Sequence, residues 1–562
     1  MDINRVLENL KRLKTTDLKP DSAEKIKEEI VSATQLIGKD LPYFVVPYSF
    51  QGLSVISSDD DHITAIHAIA GVGIMGFADQ IRIHRSDDVI IYEPIHGLAY
   101  LFLAQVNLSE FFGQSKVHLF TNLDTFANSL QNIYEWWKTL EAWKSPPSAR
   151  LYPDKVEAFH KHIIENGLIG KINMNTLNKL YFQWIRNEIE NLHILKNRRS
   201  AVSCPDGMKN VPAVLVGAGP SLRHSLSALK DISRSDNMLI IAASTALRVL
   251  IPEDIYPHFV IIIEGEKQTH FENIPHLNRL RLLAHLQTFP GHLEYPFRDI
   301  FWFNQETSAF ASVIATILPD TQPLKFSGNV LSAAFLLASF WGCNPIAFTG
   351  MDLAYQAGDK YMKGLDKIEQ ESDRKPFYDV PGQDNRQLKA PPEFLSYAQN
   401  LEIELEQLRR ANPEFTAINS SVGGRRIKGT IEMTLEDFAE NIPIPDISVD
   451  PLLLQFTASW AALTADPLDK ILQNHLKTYH CLESLLDKPI ASLQEPDNLT
   501  KIGEHLKQLP EFNTSVIRLI PWVRHIRSGR NVPETDLSSL KAEVCQILDG
   551  FRYKPDKTCY HS

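Results

Sequence analysis

The stretch Ala213-Val-Leu-Val-Gly-Ala-Gly-Pro-Ser-Leu222 decides the fold. An uninterrupted apolar run leads straight into glycines and a proline, and such runs belong to strands buried on both faces of a parallel sheet. The glycines then fall at the carboxyl end of a strand, where open α/β sheets bind ligands. Similar runs follow at Met238-Leu-Ile-Ile-Ala-Ala243, Phe259-Val-Ile-Ile-Ile263 and Pro345-Ile-Ala-Phe-Thr349. Alternating with helical segments, they predict an α/β domain with a Rossmann-like central parallel sheet over residues 196–440.

A chain of 562 residues is too long for one core, since cores stop growing near ~250–300 residues. Residues 1–195 read as an N-terminal α/β domain. Its lead is helical over about the first forty residues, with Leu7, Leu10 and Leu13 at helical spacing, and its strands are the runs Ile63 to Ala70 and Val89 to Glu93. Between those strands Gly71, Gly73 and Gly76 match G-x-G-x-x-G, and Glu93 stands where an acidic group can hold a ribose hydroxyl. The same glycines equally suit close packing of a helix on its strand. Trp136, Trp137, Trp143 and Trp184 lie in a charged segment, about 130–199, that reads as linking helices. Residues 441–562 carry Leu/Ile periodicity without a glycine-rich loop and read as a C-terminal helical domain.

Composition narrows the function. A net charge of -11 without a clustered basic face argues against nucleic acid as a partner. Cys204, Cys343, Cys481, Cys545 and Cys559 are far apart and form no CxxC pair, so no metal site or disulfide framework is expected, and a cytoplasmic setting fits. The N-terminus lacks the pattern of a secretion signal, and no uncharged stretch approaches the ~18 residues of a membrane span.

The chemistry is expected along the carboxyl edge of the central sheet. The first turn, Gly217, Ala218, Gly219, Pro220 and Ser221, lacks the Gly-Lys-Ser/Thr of a Walker loop, and Leu222 stands where a dinucleotide fingerprint needs its third glycine. Ser221 sits at a helix start, where its hydroxyl can cap the helix or neighbouring amides can receive a phosphate. Ser244 and Glu264 end the next strands, where each can contact a ribose or base. Ser327, Gly328 and Asn329 precede a helix read over 330–340. Asp352, after Gly350 and Met351, either orients a hydroxyl or braces its loop. Asp379 and Asp384 lie in a Pro/Gly loop readable as a lid or as solvated turn, and Arg425 and Arg426 either meet an anionic donor group or are solvated.

These motifs, with Thr-Gly-Met-Asp-Leu-Ala-Tyr355, Lys360-Tyr361, Ile418-Asn419, Gly423-Gly424, Ile427 and Gly429, resemble the motility accessory factor (Maf) family of flagellin glycosyltransferases. Ile90-Ile-Tyr-Glu93-Pro94, Leu103 and Asn107-Leu-Ser109 extend the resemblance into the N-terminal domain, so that it covers about residues 40–435. The family implies transfer of a nonulosonic acid, of the pseudaminic or legionaminic type, from a CMP donor to Ser or Thr of flagellin. It calls for no cofactor beyond that CMP-activated sugar as donor substrate. The motif order also resembles bacterial sialyltransferases. By that second likeness the 217–222 turn would hold the CMP phosphate and ribose, Ser327 and Gly328 the cytidine side, and Tyr361 the leaving phosphate.

This chain departs from those sialyltransferases at Ala218, Ser244 and Glu264, where they carry asparagine, and residues 361–430 contain no histidine to serve as their general base. Asp352, Asp379, Asp384 and His285 remain as candidate bases. Two other readings compete: the central domain also resembles pterin pyrophosphokinases, and a non-catalytic flagellin-binding module would tolerate the altered donor positions.

Overall fold

The computed structural model describes residues 3–19, 22–37, 54–56, 65–72, 82–84, 87–106, 108, 115–133, 139–306, 308–326, 329–355, 377–442, 447–509, 532 and 534–551. The chain divides into two compact units, Met1–Leu177 and Asn178–Ser562. The division falls within the helix Pro153–Ile194. Among the described residues no helix is long and apolar enough to cross a membrane.

In the first unit, β1 (Thr15–Thr16), β3 (Ala65–Ala70), β5 (Asp88–Tyr92), β6 (Lys116–Phe120) and β7 (Thr139–Lys144) form a parallel sheet in the order β1-β6-β5-β3-β7. A separate parallel pair joins β2 (Ser54–Ile56) to β4 (Arg82–His84). The lead expected as one helical segment is two helices, Ile3–Arg12 and Ala23–Ile37, with β1 between them. A second difference lies at Trp143, expected in a linking helix. Its segment pairs with β3 from Ala65↔Thr139 to Ala70↔Lys144, and this ladder overrides the local helical spacing.

The second unit is built on an eight-stranded parallel sheet. Its strands are β8 (Ala213–Val216), β9 (Leu239–Ala243), β10 (Phe259–Ile262), β11 (Arg281–His285), β12 (Asp299–Phe303), β13 (Ile346–Thr349), β16 (Ala417–Asn419) and β17 (Ile431–Glu432). The order is β12-β11-β10-β9-β8-β13-β16-β17. From β8 the chain walks outward to β12, then returns to place β13 on the other side of β8. The reversal makes β8 and β13 the topological switch point, the crevice where doubly wound sheets receive ligands. The helix Val330–Phe340, apolar nearly all round, covers one face of this sheet, as a helix without a polar stripe must be buried.

Two of these strands escape a search for apolar runs: β11 opens on Arg281 and closes on His285, and β12 opens on Asp299. The Pro/Gly loop around Asp379 and Asp384 is an antiparallel hairpin of β14 (Tyr378–Pro381) and β15 (Gln387–Ala390). The helices Val449–Ala458, Ala465–Leu486, Pro496–Gln508 and Glu534–Phe551 complete the unit. Trp460, just after the first of them, stacks on Trp341 with ring centroids 5.4 Å apart and meets Phe301 edge-on at 4.8 Å.

Candidate functional site

Backbone spacing places three loops against one another at the switch point. Gly217 N–H donates to Thr349 O and Gly219 N–H to Gly350 O, each at 2.8 Å. This contact leaves no room for side chains. A Cβ on Gly217 would lie 2.3 Å from Gly350 O, and one on Gly219 would lie 2.0 Å from Asp352 Oδ2. Gly350 adopts φ +66°, a backbone that L side chains rarely enter. Leu353, at φ 47°, is in the same left-handed region without glycine's freedom, a local cost of ~1–2 kcal/mol.

Asp352 locks the turn. Buried at 4% exposure, it accepts Ser221 N–H on Oδ2 at 3.1 Å, and its carbonyl accepts Arg425 N–H at 2.8 Å. A charged acceptor for a backbone N–H at the start of the 3-10 helix Pro220–His224 is a strong bond that also favours the helix dipole. The hydroxyl of Ser221 is fully buried and makes no hydrogen bond among the described residues, and the carboxylate reaching across from β13 takes the place of a side-chain cap.

The loop after β16 closes the third side. Asn419 donates to Arg425 O at 3.1 Å and accepts Ser421 N–H at 3.2 Å, while Met351 N–H donates to Ser421 Oγ at 3.0 Å. The β14–β15 hairpin is stapled to this loop through Gln383 N–H to Gly424 O and Arg426 N–H to Pro381 O. Its carboxylates are paired, Asp379 with Lys389 at 2.7 Å and Asp384 with Arg386. Arg425 is buried, and exposed Arg426 is bound to Glu432 Oε1 at 2.9 Å. Ser327, Gly328 and Tyr361 lie outside the described residues, whereas Asn329 is the N-cap of the helix Val330–Phe340 and accepts Leu331 N–H at 3.0 Å.

The neighbouring strand ends continue the edge. Val216 pairs with Ala242, which brings Ser244 level with Ala218. Ser244 Oγ is 2.8 Å from His270 Nδ1, a partner 26 residues on that no motif marks. Burial, with the nearby charges of His292 and Arg248 in support, pushes His270 down to about 4. His285 ends β11 among the rings of Phe303 and Phe326, and burial lowers it to about 3, so it is uncharged at neutral pH. Glu264, just past β10, is pushed up by burial. The strand ends here are clamped by amides of the helix Pro153–Ile194: Asn187 donates to Gly265 O and Gln287 O, and Asn191 to Leu286 O and Thr288 O. Their i, i+4 spacing is a one-face signal that an aromatic-centred reading of this helix overlooks.

In the first unit the structure favours close packing over a ribose contact. Both oxygens of Glu93 are taken, Oε2 by Tyr152 Oη at 2.6 Å and Val72 N–H at 3.1 Å, and Oε1 by Ile95 N–H at 3.1 Å. Glu93 is fully buried and braces the turn after β3. Gly71 serves close packing, since a Cβ there would lie 1.9 Å from Ser148 Oγ, while Gly73 and Gly76 lie outside the described residues.

Residues 186–358 match the family described as 6-hydroxymethylpterin diphosphokinase MptE-like. No curated protein matches the chain. The solved MAf glycosyltransferase from Magnetospirillum magneticum AMB-1 is similar over 98% of this chain and 86% of that one, at 14% identity and a TM-score of 0.53. This chain therefore has the fold of the MAf glycosyltransferase, with an MptE-like segment spanning the switch point.

Proposed function

We propose that the chain is a protein O-glycosyltransferase of the Maf type. On this reading it transfers a nonulosonic acid, pseudaminic or legionaminic in type, from a CMP donor to Ser or Thr of flagellin in the cytoplasm. The observation that carries the proposal is the locked turn at the switch point, Ser221 N–H on Asp352 Oδ2 beneath Gly217 and Gly219, in a fold shared with a solved glycosyltransferase. Gly217, Ala218, Gly219, Pro220 and Ser221 would cradle the donor phosphate, with Ser244 and Glu264 farther along the edge. Ser327, Gly328 and Asn329, where a buried helix begins, would face the cytidine. Tyr361 is assigned to the leaving phosphate by the family motif alone, as a hydrogen-bond donor to developing charge. Asp352 would serve transfer by fixing the turn that holds the donor. Such displacement is carried by positioning and electrostatics and calls for no cofactor.

The test is the intact mass of flagellin from cells with and without the gene. Loss of evenly spaced sugar-sized increments on deletion is the expected result, and an unchanged mass would defeat the proposal. The MptE-like match favours a second reading, transfer of diphosphate from ATP to a hydroxymethylpterin. Incubation of the purified chain with ATP and 6-hydroxymethylpterin separates the two, since AMP release would occur only under the second.

A further inference from the structure

Two glutamates flank Gly265 beyond β10, and the fold treats them oppositely. Glu266 is exposed and ion-paired with Lys179 at 3.2 Å. Glu264 has no Lys, Arg or His within ion-pairing distance among the described residues. Its one side-chain hydrogen bond to another residue is from Ile263 N–H, to Oε2 at 3.2 Å. The residue as a whole is half-buried.

The main chain carrying it is held from several directions. Glu264 O accepts Phe289 N–H at 2.8 Å and Thr288 Oγ1 at 3.0 Å. The next carbonyl, Gly265 O, accepts Gln183 Nε2 at 2.9 Å and Asn187 Nδ2 at 2.8 Å. The Trp184 ring closes on Gly265 so tightly that a Cβ there would lie 2.7 Å from it. Four bonds and an aromatic wall thus fix the backbone beneath a carboxylate that lacks a counter-ion. An unpaired acid is a costly thing to hold rigidly at a ligand-binding edge unless its basicity is used.

Position agrees with such a use. Glu264 lies beyond the end of β10, two strands from β8, which at ~4.8 Å per strand is about 10 Å of sheet. The other candidate bases are occupied or enclosed: Asp352 on Ser221 N–H, Asp379 on Lys389, Asp384 on Arg386, and His285 behind phenylalanines.

We propose that Glu264 is the general base of the transfer, an assignment that rests on the donor-site reading above. Its carboxylate takes the proton of the acceptor hydroxyl as that oxygen bonds to the anomeric carbon. The carbon–oxygen bond to the donor phosphate breaks, and its electron pair leaves with CMP. Burial raises the carboxyl above its ordinary value, toward the pH at which a base works best.

The test compares wild type with Glu264→Gln and Glu264→Asp, using CMP binding by calorimetry and transfer from CMP-nonulosonic acid to flagellin. Gln keeps an oxygen for Ile263 N–H, and melting temperatures check the fold. Expected are a turnover by Glu264→Gln lower by about 10²–10⁴-fold, a loss far larger than any loss of CMP binding, partial recovery in Glu264→Asp, and loss of the acid limb of the wild-type pH profile. A Glu264→Gln protein that turns over at the wild-type rate with its acid limb intact overturns the assignment. One that no longer binds CMP makes Glu264 a donor contact and overturns it equally. A wild-type chain that neither binds CMP nor transfers sugar removes the donor reading itself, and the base with it.

Discussion

Replacing Gly219 by alanine probes the turn through space alone, because its φ of -67° and ψ of 163° are open to any residue. The new Cβ would stand 2.0 Å from Asp352 Oδ2 and 2.8 Å from Gly350 O, where ordinary contact begins near 3.4 Å. The carboxylate would have to retreat by the difference, about 1.4 Å, from a position where it holds Ser221 N–H at 3.1 Å. That bond would be lost, and a bond to a charged group contributes ~1.5–3 kcal/mol. Overpacking at the same point adds ~1–3 kcal/mol, so Gly219→Ala should destabilise the second unit by about 2.5–6 kcal/mol. Asp352→Ala loses the bond alone, about 1.5–3 kcal/mol. In the double variant the carboxylate is absent and the bond is lost only once. Its cost should fall short of the sum of the single costs by at least about 1 kcal/mol, with the contact to Gly350 O remaining. Urea unfolding of the four proteins measures this coupling. Single effects that add within ~0.5 kcal/mol would refute the reasoning, because the clash and the bond would then not share an atom.

Asp236 follows a helix at φ 50°, a backbone asparagine also adopts, so Asp236→Asn keeps the turn while removing the charge and one of the two accepting oxygens. Burial alone would raise its carboxyl, but hydrogen bonds from His258, Ser448 and Asp450 N–H hold it down at about 2. The variant should lose about 1–3 kcal/mol at neutral pH, and the wild-type advantage should shrink as pH falls from ~4 to ~2; a gap in urea midpoints that persists to the lowest pH would count against it. Glu93 runs the other way. Burial lifts it to about 7, so its folded form holds a proton more tightly than the unfolded chain does, and the first unit should lose stability as pH rises from ~4.5 through ~7. Hydrogen exchange at pH 5 and pH 8 should show that loss in wild type and not in Glu93→Gln. Asn187→Ala strips a donor from the buried Gln287 O, at about 1–3 kcal/mol, and leaves Gly265 O to Gln183 alone, and it should slow transfer more than it weakens CMP binding; equal losses in both would mean that the clamp does not set the position of Glu264. Trp341→Ala should cost ~3–5 kcal/mol by calorimetry, and a cost under ~1 kcal/mol would contradict its place in the aromatic core.

The central sheet was legible where burial on both faces forces an apolar run, as in β8, β9, β10 and β13. It was illegible where a strand begins or ends on a polar residue answered only in three dimensions. Arg281 is tolerated at the start of β11 because Asp450, 169 residues later, accepts its Nη1 at 3.0 Å. The glycines of the 217–221 turn announced close packing, yet what packs there, the Asp352 carboxylate, is 131 residues from Ser221 in the chain. Glu93 misled for the opposite reason. Its spacing from Gly71 suits a ribose contact, and only the fold supplies Tyr152 to occupy it.

The two edges of the central sheet divide the ionisable groups between them. At the amino edge the acids are paired: Asp236 accepts from His258 Nε2 at 2.8 Å, and Asp450 pairs with Arg281 at 3.0 Å, which ties the start of the helix Val449–Ala458 to the sheet. At the carboxyl edge the Asp352 carboxylate accepts Ser221 N–H, Glu264 has no cation within ion-pairing distance among the described residues, and burial lowers His270, His285 and His292. Desolvated titratable groups lower stability, so folding alone gives no reason to gather them at one edge. They lie at the edge where the switch point opens, and such local cost persists where chemistry uses it. Substitutions at Asp236 or Arg281 should therefore act through unfolding. At Glu264 a neutral isostere should leave the fold as stable as wild type, or more so, while transfer is lost, and that divergence separates a working edge from a structural one.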